Sequence, residues 1–316
     1  MHILLTLAAT ALALPTIDKT SINKAAAVPG ESSLFTTYAG KRTPLASNYT
    51  VAIPATDPGP PEADDILFQN LLAAEWGIYS FYQQGVEAFS AENFTSLGLP
   101  NSTYQRITEI RDNEAGHVRI FQDEITSASI KPGPCSYNYG FTSAAEYLAL
   151  QVFLEVSSMA FLTGLVRQAT TNDTRSALVA IGQVESRHNA WSLIDVYGVS
   201  PFSGPADTTY PYPNHILELT TLFLTNNSCP SLNPVYPNPK PNLPWTEFVR
   251  NGTTAAPGAD IQIDGKDYYA VYFHGVNNIS VPFDEFDPKS GVIIVVIADE
   301  EGAPTEESPS ELTLLI

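Results

Sequence analysis

The sequence predicts a mainly α fold: a four-helix bundle followed by a Pro-rich strap and a small C-terminal β module. Three observations carry this. Between Asp64 and about Tyr197 Pro almost vanishes, and apolar residues recur at helical spacing in four stretches. Beyond Gly198 Pro returns in force, in "YPYPNHILEL" and "CPSLNPVYPNPKPNLPW". From about Asp260 short β-branched and aromatic runs appear, "DYYAVYFHG", "NISVPF", "GVIIVVIAD" and "ELTLLI", separated by Gly, Asn, Pro and acids. A chain of 316 residues, 44% of them hydrophobic, has enough material for a sizeable core.

Residues 1–14, "MHILLTLAATALAL", form an apolar run too short to span a bilayer, with small residues at Ala11 and Ala13, and read as a signal peptide even though the n-region offers only His2. Residues 15–63 are rich in Pro, Gly, Ser and Thr without apolar period, a disordered or extended leader packed loosely or not at all. The bundle occupies 64–200. Its first helix is expected over Asp64–Phe89, with two acids where the helix dipole favours them. The second is expected over Ser102–Thr126, the third over Ser143–Ala169 and the fourth over Asp173–Tyr197, with "NST" and "TND" supplying caps before the second and fourth. The strap is placed at 201–259 and the β module at 260–316. Acid groups in that last segment (Asp284, Glu285, Asp287; Asp299, Glu300, Glu301) read as solvated turns rather than Ca²⁺ sites.

A formal charge of -19, from 34 acids against 15 bases, repels nucleic-acid phosphates and anionic membrane surfaces, so neither is expected as a partner. Seven sequons, at Asn48, Asn93, Asn101, Asn172, Asn226, Asn251 and Asn278, suit a secreted or cell-wall glycoprotein. In that compartment the only two cysteines, Cys135 and Cys229, read as a disulfide rather than a metal site.

The third helix poses the sharpest problem. In "YLALQVFLEVSSMAFLTGLV" Glu155 is the only charge among about 20 mostly apolar residues. A carboxylate at the centre of a membrane span is costly and the neighbouring helices are amphipathic, so the helix is expected to be the buried one of a soluble bundle. Glu155 must then be neutralised, hydrogen bonded or metal bound. Glu75, in "LLAAEWGIYSFY", is the corresponding acid of the first helix. The second and fourth helices carry Glu114 with His117 ("NEAGHVRI") and Glu185 with His188 ("VESRHNAW").

A Glu and a His three positions apart share one helix face about one turn apart and can reach a single cation. Glu75 and Glu155 each lie about 15 residues before the end of their helix, and Glu114 and Glu185 about 12 after the start of theirs, so each pair falls at one level of an antiparallel hairpin. The same hairpin occurs twice, and two half sites make a box of four carboxylates and two imidazoles. Without cations, several anions at contact distance would repel by roughly 4 kcal/mol per close pair. Two Glu-x-x-His pairs among only five His, each matched with a mid-helix Glu, argue against coincidence.

The stretches "EWGIYSFYQQGVEAF", "EIRDNEAGHVRIFQDEI", "FLEVSSMAFLTGL" and "VESRHNAWSL" resemble the four helices of the ferritin-like superfamily, whose dimetal pattern is one Glu on each of two helices and Glu-x-x-His on the other two. The secreted, Pro-rich, β-tailed layout is similar to the fungal stress-response (Rds-type) and late sexual development proteins, relatives of plant desiccation-related proteins. The resemblance implies that Glu75, Glu114, His117, Glu155, Glu185 and His188 are metal ligands, that Glu114 and Glu185 bridge, and that a crossover joins the second and third helices.

Carboxylate and imidazole donors suit two Fe ions, with Mn the alternative, and such a pair is a setting for O₂ or peroxide chemistry. The expectation is a secreted oxidoreductase. The alternative is a stress or developmental glycoprotein that binds metal on a scaffold without turnover. Tyr79 and Tyr82, one and two turns beyond Glu75, are weak candidates for groups that touch the ligands, as are Asn189 and Asp195. Core packing is the plainer role for both tyrosines and for Trp76 and Trp191.

Overall fold

A computed structural model describes residues 45, 47–198, 200–202 and 223–234, together with the backbone of four strands between 261 and 315. The described residues include five α-helices: α1 (Asp65–Ala88), α2 (Ala91–Thr95), α3 (Thr103–Glu124), α4 (Ala144–Leu165) and α5 (Asn172–Trp191), the last continued by a π-helical turn at Ser192–Val196. α1, α3, α4 and α5 are the four expected helices, each boundary within a few residues of expectation except at the end of the last. There the chain leaves α geometry at Ser192 rather than at Tyr197. The short α2 was not expected, because five residues are too few to show a period; it is closed by Asn93 Oδ1, which accepts from the Ser90 amide at 2.8 Å.

The bundle is two antiparallel hairpins, α1 with α3 and α4 with α5, laid against each other. At one end Tyr104 of α3 donates to the carbonyl of Val86 near the close of α1. At the other, Asp65 at the start of α1 meets Thr126 and Ser129 just past α3. α4 is apolar on every side and long enough to cross a membrane, yet it is the most enclosed helix, with buried residues from Ala144 through Leu165. A bundle interior gives such a helix the apolar environment that a bilayer otherwise would.

Two apolar clusters fill the interior. One holds Leu71, Leu72, Trp76, Phe121, Phe161 and Leu162. The other is aromatic, with Phe81 stacked on Tyr147 at 4.5 Å between ring centres. Gly85 lies against this stack where any Cβ would overlap the Tyr147 ring, so the close approach of α1 and α4 there requires glycine.

The connection between α3 and α4 runs the length of the bundle, as expected for a crossover. Side chains two turns apart on α1 hold it down: Gln69 donates to the carbonyl of Ile130 at 2.6 Å, Trp76 Nε1 to that of Pro132 at 2.9 Å and Gln84 to that of Tyr137 at 3.2 Å. Trp76 thus takes the core role foreseen for it. The last part of the leader is tied down rather than loose, since Ile53 pairs with Lys131 and the amides of Thr56 and Asp57 both donate to Ser127. Residues 223–234 clasp the outer side of the crossover: Tyr137 bridges Leu224, Asn233 exchanges hydrogen bonds with the backbone of Gly133, and Cys135 is bonded to Cys229.

Of the two capping expectations one fails and one holds. Ser102 makes no side-chain cap to α3, whereas Thr171 caps α5 by accepting from the amide of Thr174 at 3.0 Å. Asp64 and Asp65 do more than complement a dipole. Both are buried; Asp65 accepts from Thr126 and Ser129, and Asp64 accepts from the amides of Thr170 and Thr171 and the Thr170 hydroxyl. The Asp64 bonds join the start of α1 to the turn between α4 and α5, and the Asp65 bonds join it to the residues just past α3.

Burial opposes the charge on Asp64, but hydrogen bonds from Thr170, Thr174 and Thr171 outweigh it and bring the carboxyl down to about 2, from an ordinary value of 3.8. A carboxyl lowered by folding adds stability that is complete above the unfolded value and is lost as pH falls through about 2. Asp64→Asn is therefore expected to cost about 2 kcal/mol at pH 7, with the gap to wild type closing as pH falls from 4 toward 2. Urea unfolding at several pH values checks this; a pH-independent gap would remove the ionic account.

Four strands, β1 (Ile261–Ile263), β2 (Lys266–Phe273), β3 (Ile293–Ala298) and β4 (Pro309–Leu315), pair antiparallel in chain order. The β module expected at 260–316 is described only by this backbone pairing. The signal peptide, the leader before residue 45, the strap at 203–222 and 235–260, the sequons at Asn251 and Asn278, and the acid groups at 284–287 and 299–301 lie outside the described residues.

Candidate metal centre

Six polar side chains meet at mid-height in the bundle, between the two apolar clusters. Glu75 comes from α1, Glu114 and His117 from α3, Glu155 from α4, Glu185 and His188 from α5. Helical spacing explains how each helix delivers its share: Glu114 and His117, like Glu185 and His188, are one turn apart on the inward face. All six are buried; Glu114, Glu155 and Glu185 are fully closed to solvent.

They form two overlapping sets, Glu75, Glu114, His117 and Glu185 in one and Glu114, Glu155, Glu185 and His188 in the other, and within each set one donor atom per residue lies within 4.8 Å of the rest. His117 Nδ1 is 3.2 Å from Glu75 Oε1, 3.0 Å from Glu114 Oε2 and 3.1 Å from Glu185 Oε1. His188 Nδ1 is 3.0 Å from Glu114 Oε1, 3.3 Å from Glu155 Oε2 and 3.4 Å from Glu185 Oε2. Glu114 and Glu185 therefore turn one oxygen toward each imidazole, while Glu75 and Glu155 serve one side each.

Glu114 Oε1 and both oxygens of Glu185 are buried without a hydrogen bond. They approach an imidazole nitrogen at 3.0 to 3.4 Å, but not in hydrogen-bonding geometry. Buried polar atoms in native folds are nearly always satisfied, so three orphaned carboxylate oxygens aimed at shared points fit a cation better than a hydrogen-bond network. The donor set passes the same test chemically, since hard oxygen and imidazole donors without thiolate suit Fe or Mn. Buried carboxylate and imidazole groups in this arrangement are compatible with a dimetal site.

The electrostatics in the metal-free chain are those of a compensated cluster. Burial works against charge on every member. His117 and His188 nonetheless hold Glu114 well below the usual carboxylate range, and Glu185 is lowered also, burial and Glu114 opposing His117 and His188. Both imidazoles are raised in turn, Glu114 and Glu185 overcoming the burial of His117, Glu155 and Glu114 that of His188. Glu75 and Glu155 are pushed well up, chiefly by burial, with Glu114 adding to it at Glu75. The carboxylates thus favour the charged form of both imidazoles, while burial opposes charge on Glu75 and Glu155 at the flanks.

Of the weaker candidates, Tyr82 is brought to the cluster, its hydroxyl donating to Glu155 Oε1. Tyr79 is not; it packs edge-on against Trp76 at 6.1 Å. Asp195 is exposed, and Asn189 has a buried Oδ1 without a partner. Three residues outside the expected set also touch the cluster or Tyr82: Asn113, Gln151 and Ser192. Gln151 is visible in retrospect as a polar residue one turn before Glu155 in the apolar run, and Ser192 as one turn beyond His188.

Residues 63–194 match the family model of the ferritin-like domain, a span that holds all six clustered residues. No curated protein matches the chain.

Proposed function

We propose that this protein is a secreted dimetal-carboxylate protein, an oxidoreductase acting on O₂ or peroxide, with Glu75, Glu114, His117, Glu155, Glu185 and His188 as ligands to two Fe ions or, alternatively, two Mn ions. The observation that carries the reading is the division of Glu114 and Glu185, each giving one oxygen to either side of the cluster. Glu75 with His117 completes one cation position and Glu155 with His188 the other. The match of residues 63–194 to the ferritin-like domain supports it.

Two such ions, when bound, supply one-electron redox steps at a site that can take up O₂ or peroxide. The chain's own contribution is to fix the donors, exclude water and surround the pair with apolar groups. Tyr82 places one hydroxyl against Glu155 and is the group best placed to give or hold a proton at its Oε1.

The disulfide between Cys135 and Cys229 fits an oxidising compartment, and the described sequon residues Asn48, Asn93, Asn101, Asn172 and Asn226 are all exposed, as glycan attachment would require. The reading extends, by its Pro-rich and β-tailed layout, to fungal stress-response or late sexual development proteins.

Metal analysis of the full chain as secreted, followed by anaerobic Fe²⁺ loading and exposure to O₂ or peroxide, tests the proposal. Two equivalents and an oxidant-dependent optical change that recurs with each turnover are expected. Fewer than two equivalents would overturn the dimetal centre. Two equivalents with no turnover would overturn the oxidoreductase and leave the metal-binding scaffold.

A further inference from the structure

The repeat of the hairpin allows each side of the cluster to be compared with the other. When Glu75 is matched to Glu155, and Glu114 with His117 to Glu185 with His188, every neighbouring position gains a counterpart. Tyr82, seven places after Glu75, corresponds to Leu162 after Glu155. Gln151, four before Glu155, corresponds to Leu71. Ser192, four after His188, corresponds to Phe121 after His117. Asn113, just before Glu114, corresponds to Val184 just before Glu185.

In each of the four pairs one member is polar and the other apolar, and all four polar members serve the same side. The Ser192 hydroxyl donates to Gln151 Oε1, the shorter of its two contacts. That sets the Gln151 amide with Nε2 toward Tyr82, to which it donates at 2.9 Å. Because the Tyr82 oxygen already accepts there, its single proton is directed to Glu155 Oε1. Tyr82, Gln151, Glu155 and Ser192 are all fully buried, so no water competes for these bonds. With Oε1 occupied, Glu155 presents Oε2 on the His188 side. The Asn113 amide lies 3.0 Å from Nε2 of His188; turned so that Oδ1 faces the ring, it accepts from Nε2–H and leaves the Nδ1 lone pair inward for a cation.

Across the cluster, Leu71, Leu162 and Phe121 are buried and offer no polar atom. Val184 likewise has nothing to give the remote nitrogen of His117. Among the described residues, Glu75 and His117 therefore have only their contacts within the cluster and apolar packing behind them.

We infer that the two cation positions are unequal: the Glu155–His188 position is held ready by Tyr82, Gln151, Ser192 and Asn113 and fills first, and the Glu75–His117 position fills second with weaker affinity. This rests on the dimetal reading. Groups that orient ligands from behind are worth roughly 10- to 100-fold in metal affinity, so the two steps should differ by at least about 10-fold.

Anaerobic titration of the metal-free full chain with Co²⁺, followed by calorimetry and by visible absorption, tests this. Wild type should bind two equivalents in two resolved steps. Tyr82→Phe and Asn113→Val should each weaken the first step by about 10-fold and alter the spectrum of the first equivalent, leaving the second step in place. Asn113 is only half-buried, so its variant keeps the test sound should Tyr82→Phe fold poorly. Leu162→Met, the mirror control, should leave the first step unchanged. Two equivalents bound with one affinity, or a first step and spectrum indifferent to both variants, would overturn the inequality while the dimetal reading stands. Fewer than two equivalents in wild type would overturn both.

Discussion

Glu114→Gln is expected to abolish tight metal binding, leaving less than one equivalent where wild type holds two, because Glu114 is the acid that gives an oxygen to each side of the cluster. The same change should also destabilise the metal-free chain. His117 and His188 both lean on the Glu114 carboxylate for their charge, and breaking a buried pair by removing one partner costs about 3 to 5 kcal/mol. Glu155→Ala is the informative contrast. Burial pushes Glu155 well above the usual carboxylate range, and it faces one imidazole where Glu114 faces two, so its removal costs the metal-free chain less ion pairing. That variant should release metal from the His188 side while unfolding at a urea concentration closer to wild type than Glu114→Gln does. Metal content after dialysis and urea unfolding in chelator check both. Equal losses of apoprotein stability would sink the charge assignment, and retention of two equivalents in either variant would sink the ligand set.

Replacing Cys135 and Cys229 together with Ala should lower stability by about 4 to 5 kcal/mol, since the bond closes a loop across a sequence separation of 94 and such closure restricts the unfolded chain. Native contacts limit how much of the structure answers to it. Residues 223–234 are held to the crossover mainly by backbone bonds, Asn138 to Phe223 and Thr225 to Ser136, and by Asn233 against Gly133. Amide exchange at Asn138 and Thr225 should therefore accelerate first, with α1, α3, α4 and α5 retaining protection until the global transition. Unfolding of the metal-free protein with and without reductant, with exchange read residue by residue, measures both. Mass mapping that finds two free thiols would remove the premise.

Much of the fold and of the cluster was legible in the sequence because both are written at helical period. Apolar spacing located α1, α3, α4 and α5, and the one-turn separation of Glu114 from His117 and of Glu185 from His188 put each pair on an inward face. Glu155 was recognisable as buried because nothing else on α4 is charged between Tyr147 and Val166. What could not be read was the function of residues whose partners lie far along the chain. Asp64 and Asp65 look like ordinary first-turn acids until Thr170 and Thr126 are brought to them. The leader looked loose because a bridge between Ile53 and Lys131 leaves no period in either segment.

The sequence by itself determined which residues line the interior and that two Glu-x-x-His half sites face two lone acids, since a helix converts spacing into a face without help from the rest of the molecule. Only the tertiary structure decided which oxygen of Glu114 and Glu185 serves which imidazole, that Tyr82 rather than Tyr79 reaches Glu155, and that Gln151, Ser192 and Asn113 all stand on the His188 side. Those contacts join residues of different helices. Whether two such side chains meet depends on the axial register and rotation of packed helices, which hydrophobic packing of the whole bundle sets and no local pattern encodes.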